Sequence, residues 1–248
     1  MPRYFILIAL LWLPAAFANT YRVNISEALS YTLGQQQITA MFSAIYAPLG
    51  IQPEFEFLPS ERGLQLVNEG ELDAEAGRVD LIGARYANLI AVPAPLGQLK
   101  LMLLCTDPKY CDLSYETDLA IIAGNLITVW FCQQHQLNCN RVQNDISAYQ
   151  ALSRGRVNRI LATDKYALGS LCESGLTTLY SKTASERTFT IYHYVHKKHQ
   201  ALVPKLSAHI KAIRKSGQLR QYAERLENAF SQCQGQLISL DPSTDSHT

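Results

Sequence analysis

Apolar and polar residues change period several times along this chain, and each change predicts an element. TYRVNIS (20–26) alternates as a strand does. QITAMFSAIYAPLG (37–50) switches to helical spacing, with Ile38, Met41, Phe42, Ile45 and Tyr46 on one face, and stops at Pro48 and Gly50. PEFEFL (53–58) alternates again. Ser60 is placed to cap the next helix, and Glu61 in its first turn suits the dipole. Leu64 and Val67 give that helix an apolar side, and Gly70 is a natural left-handed terminator. LDAEAG (72–77) then reads as a strand. The first third therefore runs β-α-β-α-β, the order of an open α/β sheet.

Further on, LIAVPAPLG (89–97) and LKLMLLC (99–105) are extended and apolar, and LITVWF (126–131) reads as a strand of a second sheet. A helix around 147–154 ends at Gly155, and RVNRILAT (156–163) and RTFTIYHYV (187–195) read as strands. Two helices close the chain. One carries Leu206, Ile210 and Ile213 on one face, the other Leu219, Tyr222, Leu226 and Phe230, with the break at Ser216-Gly217. The segment 234–248 reads as a tail, and its end, PSTDSHT (242–248), has the polar composition of disorder. There is a faint internal echo. LVNEGELDA (66–74) and ALSRGRVNRI (151–160) share one order: helix end, glycine, charge, apolar residue, Asp or Asn, strand.

Residues 1–18 change the picture by assigning a compartment. Arg3 is a positive n-region, YFILIALLWLP (4–14) a short apolar run, and AFA (16–18) a small-residue cleavage site. The run is too short for a membrane span with no stop-transfer pattern behind it, so this reads as a secretory signal and the product as periplasmic, not membrane-inserted. About 230 residues remain, enough for one large domain or two lobes. Without Arg3 the formal charge falls from +1 to zero, and no basic run is present, which argues against nucleic acid.

All six cysteines follow the signal, and an even number in an exported chain reads as disulfides. Of the fifteen pairings six cysteines allow, the expected set is Cys105–Cys111, Cys132–Cys139 and Cys172–Cys233. The first two pairs are close in sequence; the third would close a long loop and pin the C-terminal segment. Zinc is not expected, for want of paired CxxC motifs. HYVHKKH (193–199) spaces its histidines at i, i+3 and i+6, which holds no three ligands on one face and includes no carboxylate. No metal or cofactor is expected.

Four stretches carry a family resemblance: the Gly-charged-Leu-Asp turn at 70–73, the Arg85 segment running into VPAPL (92–96), GRVNRILATD (155–164), and HKKHQALVPKLSAHIKAIRKSGQL (196–219). Across most of 20–230 the chain resembles periplasmic solute-binding proteins of family 3, the amino-acid-binding type. The resemblance implies a two-lobed α/β fold of the type II periplasmic-binding-protein (Venus flytrap) kind with two hinge strands, near 97–102 and 190–195. Lobe one would comprise 19–98 and 194–233, and lobe two 99–193. Related receptor domains fasten the chain end to lobe two by a disulfide, which supports Cys172–Cys233.

The same resemblance nominates site residues. Ligands of open α/β sheets bind beyond the carboxyl ends of the strands. The family holds a ligand carboxylate with an arginine fifteen residues after the turn glycine; counted from Gly70, that is Arg85. Arg78 stands where relatives carry a small polar group, which suggests a larger or more anionic ligand, or an internal pair with Asp80. Arginine's planar fork binds carboxylates bidentately and keeps its charge when desolvated. Arg62, at the start of a helix, could add to an anion site. Asp164 matches the acidic lobe-two residue that pairs with a ligand ammonium, displaced by about one residue. Trp130 could stack on a ligand, and Tyr31 is a candidate cleft aromatic. No G-x-S-x-G, P-loop or H-E-x-x-H is present. The expectation is a non-enzymatic monomer that captures a small anionic or zwitterionic solute by lobe closure for an ABC-type transporter. A partner of a membrane sensor kinase or receptor is the alternative, and an exported dehydratase on the same fold a third.

Overall fold

The chain is described here by a computed structural model covering residues 20–83, 85–114, 119–165, 168–219 and 231–242. The expected signal segment and nearly all of the second C-terminal helix (218–230) lie outside these residues.

Strand β1 (Arg22–Ser26) runs parallel to β2 (Glu54–Leu58) and β3 (Ala74–Val79). Ser26 ends β1 and caps α1 (Glu27–Leu33), accepting from Leu29 N at 3.2 Å. Helix α2 (Gln35–Tyr46) buries the predicted face, Ile38, Met41, Phe42, Ile45 and Tyr46. Burying a side chain such as Phe42 contributes about 1.5–3 kcal/mol. Helix α3 (Ser60–Glu69) buries Leu64 and Val67 and stops at Gly70, whose φ of 81° is the left-handed conformation the terminator needs. Gly63 of α3 lies on the Asn24 amide, where a Cβ would collide.

Two long strands run through the middle. Strand β4 (Leu89–Ala91) and β3 both pair antiparallel with β9 (Thr178–His196), and β9 pairs antiparallel with β5 (Gly97–Cys105). Beyond β5 lie β8 (Arg159–Thr163), β6 (Leu119–Ile122) and β7 (Cys139–Val142), with β6 parallel to both neighbours. The order is β2-β1-β3-β9-β5-β8-β6-β7, two parallel blocks joined by the antiparallel β5–β9 ladder. That ladder breaks between Lys100↔Thr188 and Met102↔Thr183, leaving 184–187 out of register. Apolar packing is divided accordingly. Val23, Ile25, Phe42 and Tyr46 pack with Leu206 and Ile210 of α7 (Val203–Lys215). Leu104, Tyr149, Leu152 and Ile160 form a second cluster, and Leu101, Phe131, Leu161 and Phe189 a third.

Three expectations need correcting. LITVWF is not a strand: α4 (Leu126–Gln134) occupies it. Asn125 Oδ1 accepts from Ile127 N (3.1 Å) and Thr128 N (3.3 Å), and the fourfold spacing of Ile127 and Phe131 buries both. Capping and packing outweigh the strand propensity of Ile, Thr and Val. Second, Pro59, not Ser60, is the N-cap of α3, and no side chain caps it. Third, the tail read from 234 onward contains strand β10 (Gln236–Ser239), parallel to β9 from Thr178 to Ser181. Asp241 then accepts from Thr183 N (2.9 Å) and Thr183 Oγ1 (2.7 Å). Helix α5 (Asp145–Ser153) fits the 147–154 reading; α6 (Leu168–Glu173) was not foreseen. The cysteines pair as expected: Cys105–Cys111, Cys132–Cys139 and Cys172–Cys233.

Candidate functional site

The carboxyl ends of β1, β2 and β3 lead directly into α1, α3 and a short turn, Asp80–Ile82. In the other block β6 leads to the Asn125 cap of α4 and β8 to Asp164. Such edges are where open α/β sheets meet ligands.

The two arginines of the β3 segment have opposite surroundings. Arg78 is 9 % exposed and points inward. Its Nε lies 2.9 Å from Glu75 Oε1, its Nη1 donates to Ser60 Oγ at 2.6 Å and its Nη2 to the Ser60 carbonyl at 3.2 Å. Glu75 is fully buried, and its other oxygen accepts from Asn24 Nδ2 at 2.5 Å. Burial pushes the Glu75 carboxyl above the usual range despite the opposing pull of Arg78 and Asn24. The suspected Arg78–Asp80 pair is therefore not formed. The partner is Glu75, and Asp80 lies 3.9 Å from Arg187. A register shift in β3 between Glu75 and Arg78 turns both side chains to one face, where a regular strand would oppose them.

Arg85 is outside. Its side chain is 65 % exposed and reaches Glu61 Oε1 at 3.2 Å. This contact joins the loop after β3 to the first turn of α3. Arg62, the next residue of that turn, is exposed and forms no ion pair among the described residues. Ser60, Glu61, Arg62 and Arg85 thus share one corner.

The lobe-two candidates are dispersed. Asp164 is tied to β5: its Oδ1 accepts from Lys100 N at 2.9 Å, and its own N donates to Lys100 O at 3.0 Å. Trp130 packs edge-on against Phe189, ring centres 5.5 Å apart, and carries the Arg187 guanidinium 4.7 Å above its ring. Tyr31 is 78 % exposed on α1. Leu126, in the first turn of α4, packs against the Leu64, Ile82 and Tyr86 cluster, and Val79 and Leu81 against the Phe131–Phe189 cluster. The two blocks therefore meet through apolar contacts at this edge. Two hollows elsewhere, one beside Cys111, Asp112 and Lys182 and one beside Gln136, Asn138 and Arg159, contain none of the nominated ligand-binding residues.

The HYVHKKH histidines point into different networks. His193 is fully buried. The Ala76 carbonyl, 3.1 Å from its Nδ1, can only accept, so Nδ1 donates and Nε2 accepts from Tyr46 Oη at 2.6 Å. Desolvation lowers its pKa to about 4. His199 Nε2 lies 2.7 Å from Asp73 Oδ1, which Lys198 also meets at 2.7 Å. Among the described residues no cluster of His, Cys, Asp or Glu is arranged for a metal ion. Sequence reasoning passed over Arg187. It opens the RTFTIYHYV alternation, and alternation carries no signal of the Trp130 contact.

No family model matches the chain. An uncharacterised protein of Shewanella oneidensis is 20% identical over 202 residues, covering 77% of this chain and 75% of that protein. Among solved structures, a histidine kinase sensor domain with similarity to periplasmic binding proteins superposes with a TM-score of 0.66 at 15% identity, over 82% of this chain and 94% of its own. A substrate-binding protein of an ABC uptake transporter from Streptococcus pneumoniae, with bound histidine, gives 0.65 at 13% identity, over 82% and 90%. The GluR0 ligand-binding core from Nostoc punctiforme, in complex with L-glutamate, gives 0.65 at 10% identity, over 82% and 96%. The chain has the two-lobed type II periplasmic-binding fold common to solute-binding proteins and sensor domains of this kind.

Proposed function

We propose that this chain is an exported, periplasmic solute-binding protein that captures a small anionic or zwitterionic ligand (an amino acid, organic acid or small peptide) without turnover. In this reading lobe one (19–98 and 194–233) closes on lobe two (99–193) about β5 and β9, and ligand contacts made in the closed state shift the population. The observation that carries it is the corner beyond β2 and β3. There Arg85, 65 % exposed, and the exposed Arg62 offer positive charge at the edge where this fold meets ligands. Arg85 would take a carboxylate by exchanging its weak contact with Glu61 for a bidentate one. Arg78 contributes through the framework: held by Glu75, it fixes Ser60 and hence the start of α3.

Delivery to an ABC-type transporter follows from this reading, with a monomer as the working form. The sensing alternative has its own support in the likeness to a histidine kinase sensor domain, and its readout would be lobe closure transmitted to a membrane receptor.

The test is a melting screen of the mature protein against amino acids, organic acids and small peptides. A ligand at a hundredfold excess over Kd adds about 2.7 kcal/mol. A screen without a single stabilising compound sinks the capture reading. Retained affinity in Arg85→Ala moves the site elsewhere.

A further inference from the structure

Arg187 has the chemistry of an anion receptor, and its present partner leaves that chemistry unused. It sits in the 184–187 stretch where β9 leaves the β5 ladder, so the backbone around it is not committed to regular pairing. Its guanidinium carbon lies 4.7 Å over the Trp130 ring and 4.9 Å over the Phe189 ring. The two rings stand at 75° to each other, so the guanidinium sits in the notch between them, where the rings favour the cation and limit its movement. The side chain remains 43 % exposed.

What answers it is Asp80, from the turn after β3 in the opposite block, with Oδ2 3.9 Å from Nη2. That balances charge but is too long for the 2.7–2.9 Å bonds of an arginine–carboxylate fork. Among the described residues the guanidinium makes no hydrogen bond. A guanidinium confined by two rings, with unfilled donors and faced across the junction of the two blocks by a loosely held carboxylate, is a receptor with a stand-in.

We propose that Arg187 is the second-lobe receptor for a ligand carboxylate, that Asp80 occupies its place in the absence of ligand, and that the solute is a small dicarboxylate, one carboxylate of which Arg187 takes. This rests on the solute-capture reading and names its ligand class. Trp130 then acts through Arg187, as the surface that orients it, and does not stack on the ligand.

Calorimetric titration of the mature chain with succinate, L-glutamate and L-glutamine at pH 7 tests it. A dicarboxylate is expected to bind at least about tenfold more tightly than glutamine, as a charge-assisted hydrogen bond implies. Arg187→Gln should remove that advantage, weakening dicarboxylate binding several-fold more than glutamine binding. Asp80→Asn should tighten dicarboxylate binding roughly two- to fivefold, because it deletes the competing carboxylate of a partly exposed pair. A gain of this sign is not what a merely structural ion pair produces. The assignment is overturned if Asp80→Asn weakens or leaves dicarboxylate affinity, or if Arg187→Gln affects glutamine and dicarboxylates alike. Either result leaves the capture reading standing, provided glutamine binding still depends on Arg85. Absence of binding by all three compounds removes the dicarboxylate proposal, and the metabolite melting screen then decides separately on capture.

Discussion

The two blocks of the sheet are held together by different means. The block built on β1, β2 and β3 contains no cysteine between residues 20 and 96. Its specificity comes from buried polar groups: Asn24, Glu75 and Arg78 under α3, and Tyr46 with His193 under α2. The block built on β6, β7 and β8 is stapled. Cys105–Cys111 and Cys132–Cys139 lie within it, and Cys172–Cys233 ties the chain end to α6, beside β10. Hydrogen-bonded networks fix geometry only while every member is satisfied. Cross-links act largely on the unfolded chain and are insensitive to protonation. The first block should therefore respond to pH and to single polar substitutions, and the second to reductant.

The sharpest break comes from Glu75→Ala. It strands the Arg78 guanidinium, 9 % exposed, and should cost about 3–5 kcal/mol in chemical denaturation. Replacing both partners, Glu75→Leu with Arg78→Met, should cost much less, because burial already raises the Glu75 carboxyl and the pair itself gains little over an apolar one. Equal losses in the single and double variants would mean that the pair is a net stabiliser. Next comes the second block. Replacing Cys172 and Cys233 by serine should lower stability by about 4 kcal/mol, against about 2 for either short-loop pair, since loop-closure entropy grows with the residues enclosed. The separations are 61 against 6 and 7. Comparable losses from all three would show that native geometry, not loop length, sets their value.

His193 supplies the pH side of the comparison. Its pKa is lowered from 6.5 to about 4 by desolvation, so the folded chain binds fewer protons than the unfolded one across that window. Its contribution is intact above pH 6.5 and is lost as pH falls toward 4, about 3 kcal/mol in all. Urea melts from pH 7 to 4 should show the decline, and His193→Gln should remove it, from a lower starting stability. A wild-type curve flat over that range would contradict the buried neutral imidazole.

What was legible in the sequence follows the same division. Period and turn chemistry mark β1, α2, β2, α3 and β3: α2 and α3 each bury one apolar stripe and Gly70 ends α3, and the short extended runs between them form β1, β2 and β3, of which β1 and β3 are buried on both faces. The cysteine pairs followed from spacing, with the longest supported by the family resemblance. Failures arose where tertiary contacts decide. In α4 an Asn125 cap and four buried positions, Ile127, Thr128, Phe131 and Cys132, override β-branched propensity. Strand β10 is set by pairing with β9 and by Leu237 packing on the second cluster, neither of which its own sequence announces. Ser60 has the chemistry of a cap, but its hydroxyl is engaged by Arg78 from a strand 18 residues on. The Glu75–Arg78 pair depends on a register shift that alternation cannot reveal. For the site, counting from a glycine separated Arg85 from Arg78 without showing that one faces out and the other in.

That separation yields the smallest effect on stability and the largest contrast with Glu75. Arg85 and Glu61 are 65 % and 67 % exposed, so their ion pair is screened by solvent. Arg85→Ala should change the unfolding free energy by no more than about 1 kcal/mol. If it is a ligand-carboxylate contact, the same substitution should weaken binding of any hit from the melting screen by about tenfold or more, the worth of a charge-assisted hydrogen bond. Arg78→Ala should do the reverse, lowering stability first and affinity through it. A variant that destabilised as Glu75→Ala does would place Arg85 in the framework. One that altered neither quantity would leave it as surface charge, and the positive corner would then rest on Arg62 alone.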